Sequence, residues 1–279
     1  MKTIAVLMST YNGSRYLREQ IDSILAQKDV NVRLIVRDDG SDDNTLDILK
    51  EYAQSGKLQW YNGENLKPLG SFMHLLFNCP ESDYYSFSDQ DDVWLTDKLS
   101  KSVKRMIDVE TSNPDKPIIV HTDMSVVDSE LSITSKSFWD NNGIRPDILK
   151  TFEMLACYNG VNGCTLLMNN AARNLIKEKY FLQSLFIHDV MCSLIVSANG
   201  GIIEYVDEPT LLYRQHEGNV VGADHIQKHY YIKRFKNFFS VIHHNNVNFK
   251  MVNKIGRISL PKYIFNKISY IFTKKHGIR

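Results

Sequence analysis

Short apolar runs alternate with amphipathic segments along the first half of the chain. Residues 3–9 form an apolar run, and the polar, glycine-containing segment 11–14 follows it directly. Leu17, Ile21 and Ile24 then recur at the spacing of one helix face, with charged residues between them. This order predicts a buried strand, a turn and an amphipathic helix.

The same plan is repeated further along the chain. Residues 32–36 read as a strand, 38–41 as a turn, and 46–53 as a helix that Asp42 or Asp43 caps. A third strand is predicted at 84–88. Strands that alternate with helices indicate right-handed βαβ units, so we expect an α/β fold with a largely parallel sheet. Ligands of such sheets bind beyond the carboxyl ends of the strands.

The second half of the chain has a less regular pattern. Apolar runs and helical spacing predict further strands and helices, and a glycine-rich turn at 159–163 precedes one of the strands. The predicted strands are 118–120, 164–168, 202–205 and 210–214, and the predicted helices are 170–179 and 188–198.

Composition indicates an ordinary packed core. The 279 residues are 43% hydrophobic and 23% charged, and no apolar run is long enough to cross a membrane. The apolar start is too short for a signal peptide, so we expect a cytoplasmic protein. Four cysteines without any C-x-x-C pair argue against a zinc site or a redox motif.

Charge is divided unevenly along the chain. Residues 225–279 hold twelve of the 33 Lys and Arg residues and no Asp or Glu, so 1–224 keep 21 cations against all 32 acids. We therefore predict an acidic body, 1–224, and a basic, aromatic, helical extension, 225–279. The extension favours an anionic membrane surface at the inner face of the plasma membrane. The alternative is a helix that packs on the body or on a second subunit, and no segment resembles a nucleic-acid module.

Three carboxylates lie within four positions directly after the predicted strand 84–88. Asp89, Asp91 and Asp92 would repel one another unless a cation neutralised them. Oxygen ligands suit Mg²⁺ or Mn²⁺, so a divalent metal site is one interpretation. The alternative is a solvated acidic turn before the next helix.

Two other candidates follow predicted strands. Asp39 precedes a glycine at the end of the second strand, where a carboxylate can accept the N3–H of a uracil or thymine. Tyr11 ends the first strand and could stack on that base. The alternatives are an ordinary Asp-Asp-Gly turn and a turn aromatic.

Together, the segments 9–12, 38–45 and 88–94 resemble the family 2 glycosyltransferases, which have the Rossmann-like GT-A fold. The resemblance covers roughly residues 3–220. It implies an enzyme with a pyrimidine nucleotide-diphosphate sugar as donor, a divalent metal (Mn²⁺ or Mg²⁺) and inversion at the anomeric carbon.

The resemblance also implies which residues bind the donor. Thr10, Tyr11 and Asp39 would hold the nucleoside, and Asp89 would face the ribose or the diphosphate. Arg214, near the end of the body, is a further candidate for the phosphates because a guanidinium pairs well with phosphate oxygens.

For the metal, the resemblance implies Asp91 as a ligand. His216 lies where many GT-A enzymes place a histidine on a late loop, and it is the second candidate ligand. Asp92 is either a further ligand or the cap of the next helix, and we favour the cap.

Inverting transfer requires a general base for the acceptor hydroxyl. Family members usually supply it from Glu-Asp at the start of a helix, and the matching dipeptide here is His188-Asp189. Asp189 is therefore the predicted base. His188 replaces the acid and would orient the acceptor, tune Asp189, or be an ordinary surface histidine. Asn162 and Gly163 are candidates for the acceptor pocket.

The combined motifs look most like bacterial rhamnosyltransferases, which build surface polysaccharides such as O-antigens from dTDP-L-rhamnose. A lipid-diphosphate-linked saccharide would then be the acceptor. UDP-hexose or UDP-N-acetylhexosamine transfer is the close alternative. A catalytically inactive, membrane-associated protein that binds nucleotide sugars is the alternative of a different class, and a homo-oligomer is possible.

Overall fold

The structure is a computed structural model that describes residues 1–181, 187–217 and 248–276, with side chains as far as residue 273. Its strands are β1 Thr3–Thr10, β2 Asn31–Asp38, β3 Gln59–Asn62, β4 Tyr84–Ser88, β5 Val93–Trp94, β6 Ile118–Val127, β7 Ile133–Ser135, β8 Leu167–Asn169 and β9 Ile202–Arg214. Its helices are α1 Leu17–Leu25, α2 Thr45–Gln54, α3 Lys67–Asn78, α4 Lys98–Ser112, α5 Phe138–Asn142, α6 Phe152–Leu155, α7 Asn170–Lys179, α8 His188–Ala198, α9 248–255 and α10 Leu260–His276.

One sheet organises the described chain, in the order β3-β2-β1-β4-β8-β6-β9-β5, and β7 pairs with β6. The pairs among β1, β2, β3 and β4 are all parallel, as the alternating pattern predicts. Beyond β4 the sheet is mixed, because β8 runs antiparallel to both of its neighbours while β6 and β9 are parallel. The expectation of a largely parallel sheet therefore holds for the N-terminal half.

Strand β1 lies in the middle of this half and is buried on both faces. Ala5 and Leu7 point into a core shared with α3, α7 and α8. Ile4, Val6 and Met8 point into a second core shared with α1, α2 and α4. Successive side chains of a strand face opposite sides, so a continuous apolar run is what a strand between two helical layers requires.

Two predicted strands differ in the structure. Residues 164–168 are not one strand, because Gly163–Thr165 form a 3₁₀ turn and β8 begins only at Leu167. The strands predicted at 202–205 and 210–214 are one strand of thirteen residues, β9. Register shifts opposite Asp123 let β9 stay paired with β6 across the polar stretch that separates the two apolar runs.

The described part of the C-terminal extension packs on the body. Val252, Tyr263 and Tyr270 are buried in the core on the side of α8, and α10 contacts α6. The predicted boundary at 224/225 and the aromatic residues up to 247 lie outside the described residues. Among the helices that the structure describes, none is both long and apolar enough to cross a bilayer.

Candidate functional site

The carboxyl ends of β1, β2 and β4 lie side by side. Thr10, the last residue of β1, is in register with Asp38, and Met8 is in register with Ser88. The turns that follow these three strands carry the three motifs of the sequence. Parallel strands end at one edge of a sheet, so the fold brings the motifs together there.

Gln90 joins the turn after β4 to the turn after β1. Its Oε1 accepts a hydrogen bond from the backbone N–H of Tyr11 at 2.9 Å, and its Nε2 donates to the Tyr11 carbonyl at 3.1 Å. A Cβ at Gly13 would lie 2.2 Å from Oε1, so a larger residue there would displace the Gln90 side chain from this position. The ring of Tyr11 itself is 49% exposed at the rim.

The carboxyl groups after β2 are buried and hydrogen-bonded. Asp38 accepts the hydroxyl of Thr10 at 2.8 Å and the backbone N–H groups of Gly40 and Ser41. Asp39 forms an ion pair with Arg37 and accepts the N–H of Leu66 at 3.0 Å. The motif thus fixes the turn through Asp38, and the nucleoside-binding role of Asp39 stays a prediction.

A cleft of about 580 Å³ opens beside these turns. Its walls come from the turns after β1 and β4, the β6–β7 turn and the end of β9. The lining residues are Asn12, Gly13, Arg15, Tyr16, Gln90, Asp91, Asp128, Ser129, Gln215, His216 and Glu217.

The cleft brings together Asp91 and His216, the two predicted metal ligands. His216 Nε2 lies 2.9 Å from Asp91 Oδ2, and its ring lies 4.8 Å from that of Tyr16. Both side chains are half-buried at the cleft wall. A histidine that follows β9 therefore meets an aspartate that follows β4.

Arg214 lies beneath this pair and is only 2% exposed. Its guanidinium donates to the carbonyls of Asp91 at 2.8 Å and Ser129 at 2.6 Å, and it pairs with Glu19. These bonds tie the metal-motif turn to the β6–β7 turn. A direct phosphate contact would require them to break, so the geometry does not support that part of the prediction for Arg214.

Asp92 does not cap a helix, which corrects the prediction. The short strand β5 follows it, and α4 begins only at Lys98. Asp92 is fully buried and accepts the backbone N–H of Arg214 at 3.1 Å. Burial and the neighbouring Asp91 and Asp89 raise the pKa of Asp92 well above its usual range.

Asp89 is influenced by charges from both the metal-motif turn and the predicted base. Burial raises the pKa of Asp89 to about 7, and the charges of Asp91 and Asp189 contribute to the increase. Asp89 therefore links Asp91 and Asp189 electrostatically, although Asp189 does not line the cleft itself.

Asp189 lies in the first turn of α8 and is 4% exposed. Its Oδ2 accepts the backbone N–H of Gly163 at 2.9 Å, and its Oδ1 accepts the N–H of Val190 at 2.6 Å. Burial raises the pKa of Asp189 to about 6, and the two hydrogen bonds limit the increase. Such a carboxylate is ionised at neutral pH and is basic enough to accept a proton.

His188 is an interior residue, which does not support its predicted contact with an acceptor. Its ring is 7% exposed and lies 4.1 Å from the ring of Phe72 and 5.0 Å from that of Phe87. A Cβ at Gly163 would lie 2.2 Å from its Nε2. Gly163 thus allows the 3₁₀ turn to touch His188 while it donates to Asp189. Asn162 is half-buried in the same turn, and its acceptor role stays a prediction.

Two groups of side chains offer metal ligands. Asp91 and His216 supply a carboxylate and an imidazole at the cleft wall, and this donor pair fits Mn²⁺. Asp89, Asp92 and Cys164 place one ligand atom each within 4.8 Å of one another. Sulfur is a soft ligand, so this interior group suits a hard cation less well.

Several lining residues were not singled out from the sequence. Arg15, Asp128 and Ser129 lie on turns, where the chain carries no periodic signal. Gln90 lies inside the acidic motif, where the local pattern assigns it no role. Its hydrogen bonds to a turn 79 residues away depend on the pairing of β1 with β4, which local pattern does not reveal.

Comparison with known proteins agrees with this fold. The sequence profile of the family described as "Glycosyl transferase family 2" matches residues 5–163, more than half of the chain. A "dTDP-rhamnosyl transferase RfbG" of Shigella flexneri is 29% identical over 237 residues, which cover 78% of this chain and 74% of the relative. An uncharacterised glycosyltransferase of Rickettsia typhi is 28% identical over 59% of this chain and 49% of its own length.

Solved structures share the fold at low identity. TarS of Staphylococcus aureus, solved with UDP-GlcNAc, has a TM-score of 0.61 and is 17% identical in sequence. The match covers 98% of this chain and 72% of the TarS chain. The mannosyltransferase PcManGT of Pyrobaculum calidifontis, solved with GDP-Man and Mn²⁺, has a TM-score of 0.53 and is 15% identical in sequence. The match covers 98% of this chain and 85% of the PcManGT chain. The chain is therefore a glycosyltransferase with the GT-A fold, and it belongs to glycosyl transferase family 2.

Proposed function

We propose that the protein is an inverting, metal-dependent glycosyltransferase that moves L-rhamnose from dTDP-L-rhamnose to a saccharide acceptor. The observation that carries the proposal is Asp189, a buried carboxylate held by the N–H of Gly163 in one electrostatic environment with Asp89. The choice of donor is supported by the similarity to the Shigella flexneri rhamnosyl transferase.

Asp189 would act as the general base. The acceptor hydroxyl attacks the anomeric carbon, a new C–O bond forms, and the bond to the diphosphate oxygen breaks. The proton of the hydroxyl passes to Asp189, whose hydrogen bonds from Gly163 and Val190 fix its orientation before and after the transfer.

Asp91 and His216 would hold the divalent metal. When bound, the cation neutralises negative charge on the leaving diphosphate. Gln90 keeps the turn after β1 in place beside Asp91, and Arg214 fixes the backbone of Asp91 from below. Arg15 lines the same cleft with an exposed side chain and is a candidate for the phosphates, a role that the geometry supports better than it does for Arg214.

The first test is release of nucleotide from a donor panel. The purified protein is incubated with Mn²⁺, a saccharide acceptor and dTDP-L-rhamnose, UDP-glucose, UDP-GlcNAc or GDP-mannose. We expect turnover with dTDP-L-rhamnose. Turnover only with a UDP-sugar would establish the alternative donor class, and donor binding without turnover would establish the inactive binding protein.

The second test concerns the base. Asp189→Asn should lower the rate of transfer by roughly 10²–10⁴-fold because general-base catalysis contributes about that much. Donor affinity should change little. Asp108→Asn removes an exposed carboxyl group and is the matched control, which should keep full activity. A fully active Asp189→Asn variant would show that another group accepts the proton.

A further inference from the structure

Helix α10 carries a continuous apolar face that the rest of the described chain leaves uncovered. Six of the thirteen exposed large apolar side chains in the described residues lie on this one helix. Their spacing places them on one face of the helix, and they are Leu260, Ile264, Phe265, Ile268, Ile271 and Phe272. We call this set the α10 stripe. Phe265 is 68% exposed and Phe272 is 59% exposed.

The opposite face of α10 is attached to the body. Tyr270 accepts the N–H of Arg145 at 3.1 Å and packs on Tyr158, with ring centroids 4.4 Å apart. The carbonyl of Tyr263 accepts the thiol of Cys157, and Asn266 donates to the carbonyl of Glu153. A helix held on one face, with large apolar residues on the other, presents a surface for a partner.

Charge identifies the partner. Residues 248–273 contain no acidic residue, and their cations are Lys250, Lys254, Arg257, Lys262 and Lys267. A second copy packed stripe against stripe would bring two sets of like charges together, which is unfavourable. An anionic lipid surface instead accepts both features, because apolar side chains enter its acyl region while nearby cations face its headgroups.

We propose that α10 is a membrane-docking helix, which lies in the plane of an anionic bilayer with the α10 stripe inserted. The helix is amphipathic and carries Lys262 and Lys267, so it lies on the surface.

The attachment of α10 also limits how far the site lies from the docked helix. Four residues lie between Tyr158, which packs on α10, and Gly163, which donates to Asp189. The extended chain from Tyr158 to Gly163 spans at most roughly 18 Å, and a helix with its side chains is about 10 Å thick. Asp189 would then lie at most on the order of 30 Å from the lipid surface. This step rests on the proposed function, and it bounds the distance that a lipid-linked acceptor has to bridge.

Vesicle sedimentation of the full chain tests the proposal without donor or acceptor. We expect binding to vesicles of phosphatidylglycerol and phosphatidylethanolamine, and much weaker binding to phosphatidylcholine. The variant Phe265→Ser/Phe272→Ser should bind at least about tenfold more weakly, because two exposed phenylalanines no longer enter the lipid. Ile107→Ser/Ile133→Ser changes two exposed isoleucines elsewhere and should bind like the wild type.

The charge component has its own variant. Lys254→Gln/Arg257→Gln should weaken binding to anionic vesicles by about fivefold per cation, and added salt should have a similar effect. Lys104→Gln, an exposed cation on α4, is the control. Thermal unfolding of each variant checks that the fold is intact.

Three results would overturn the proposal. The stripe variant could bind as well as the wild type, the wild type could bind neutral and anionic vesicles equally, or the stripe variant could lose a dimer seen by sedimentation equilibrium while vesicle binding stays unchanged. The last result would assign the stripe to a second copy. Failure of glycosyl transfer with intact vesicle binding would contradict only the proposed function.

Discussion

Burial and hydrogen bonding together give the carboxyl groups around this site different proton affinities. Asp43 accepts N–H groups from Ser14 and Thr45, and these hydrogen bonds outweigh its burial and lower its pKa to about 2. Burial raises the pKa of Asp189 to about 6 and that of Asp89 to about 7. Hydrogen-bonded acids therefore fix turns, and desolvated acids can exchange protons near neutral pH.

Glycosyl transfer should lose rate in acid because the proposed base must be ionised. The pKa of Asp189 is about 6, so kcat should be level above that pH and fall toward tenfold per pH unit below it. The measurement is kcat at saturating donor across the range from about pH 5 to pH 8.

Two controls separate this effect from others. Residual transfer by Asp189→Asn should lack the acid-side decrease. Near-ultraviolet circular dichroism at each pH checks that the enzyme stays folded. A level kcat between about pH 5 and pH 7 would argue against Asp189 as the base.

At the scale of elements, the connection from β4 through β5 to α4 encloses a buried polar group. Lys98, the first residue of α4, is fully buried, and its Nζ lies 3.9 Å from the centroid of the Trp94 ring. Neither Lys98 Nζ nor Asp92 Oδ2 has a hydrogen-bond partner in the part of the chain that the structure describes. Burial lowers the pKa of Lys98 to about 8, and the nearby Cys164 and Asp92 oppose the decrease.

We interpret Lys98 as a buried cation that favours the ionised form of Asp92 and so opposes the increase in its pKa. Lys98→Met should destabilise the fold by about 1–3 kcal/mol, because Asp92 would lose a buried neighbouring cation. Urea unfolding at neutral pH measures this loss. Lys104→Met, on the exposed side of the same helix, should stay within about 0.5 kcal/mol of the wild type.

A double-mutant cycle tests the pairing itself. Lys98→Met/Asp92→Asn should cost less than the sum of the two single variants, with a coupling of roughly 0.5–3 kcal/mol. Strict additivity would mean that the two side chains do not stabilise each other.

For the whole molecule, two interior histidines link stability to pH. His121 lies among Trp139 and Tyr205, and His188 lies among Phe72 and Phe87. Burial lowers the pKa of each to about 3, from a usual value of 6.5. Below pH 6.5 the unfolded chain therefore binds protons that the folded chain does not, so each histidine makes the fold less stable as the pH falls.

His121→Phe should remove one of these contributions. Relative to the wild type, the free energy of unfolding of the variant should increase by about 1.4 kcal/mol for each pH unit below about 6.5. The measurement is the difference in the free energy of unfolding at about pH 7.5 and pH 5.5. The variant is compared with the wild type because Asp89 and Asp189 are present in both proteins. Their raised pKa values make the fold more stable as the pH falls, which is opposite to the effect of the histidines. An unchanged difference would show that His121 takes up protons in the folded state.

The sequence by itself determined the N-terminal half of the fold and the position of its motifs. Strand β4 agrees with the predicted range 84–88. In the second half of the chain, helices α7 and α8 likewise agree with the predicted ranges 170–179 and 188–198. Strands and helices repeat their apolar positions every 2 and every 3.6 residues, and turns use particular residue types. These patterns span only a few positions, so they can be identified in the sequence. In a sheet built from βαβ units, parallel pairing then brings the carboxyl ends of β1, β2 and β4 together at one edge.

Only the tertiary structure decided which side chains meet. His216 reaches Asp91 across 125 residues, and Arg214 reaches Glu19 across 195. Asp92 became a buried acceptor and His188 an aromatic-core residue, because their neighbours come from distant strands and helices. The face of α10 that stays uncovered likewise depends on its packing against Tyr158 and Glu153. Local patterns specify elements, whereas burial and pairing across the chain set the chemistry of each residue.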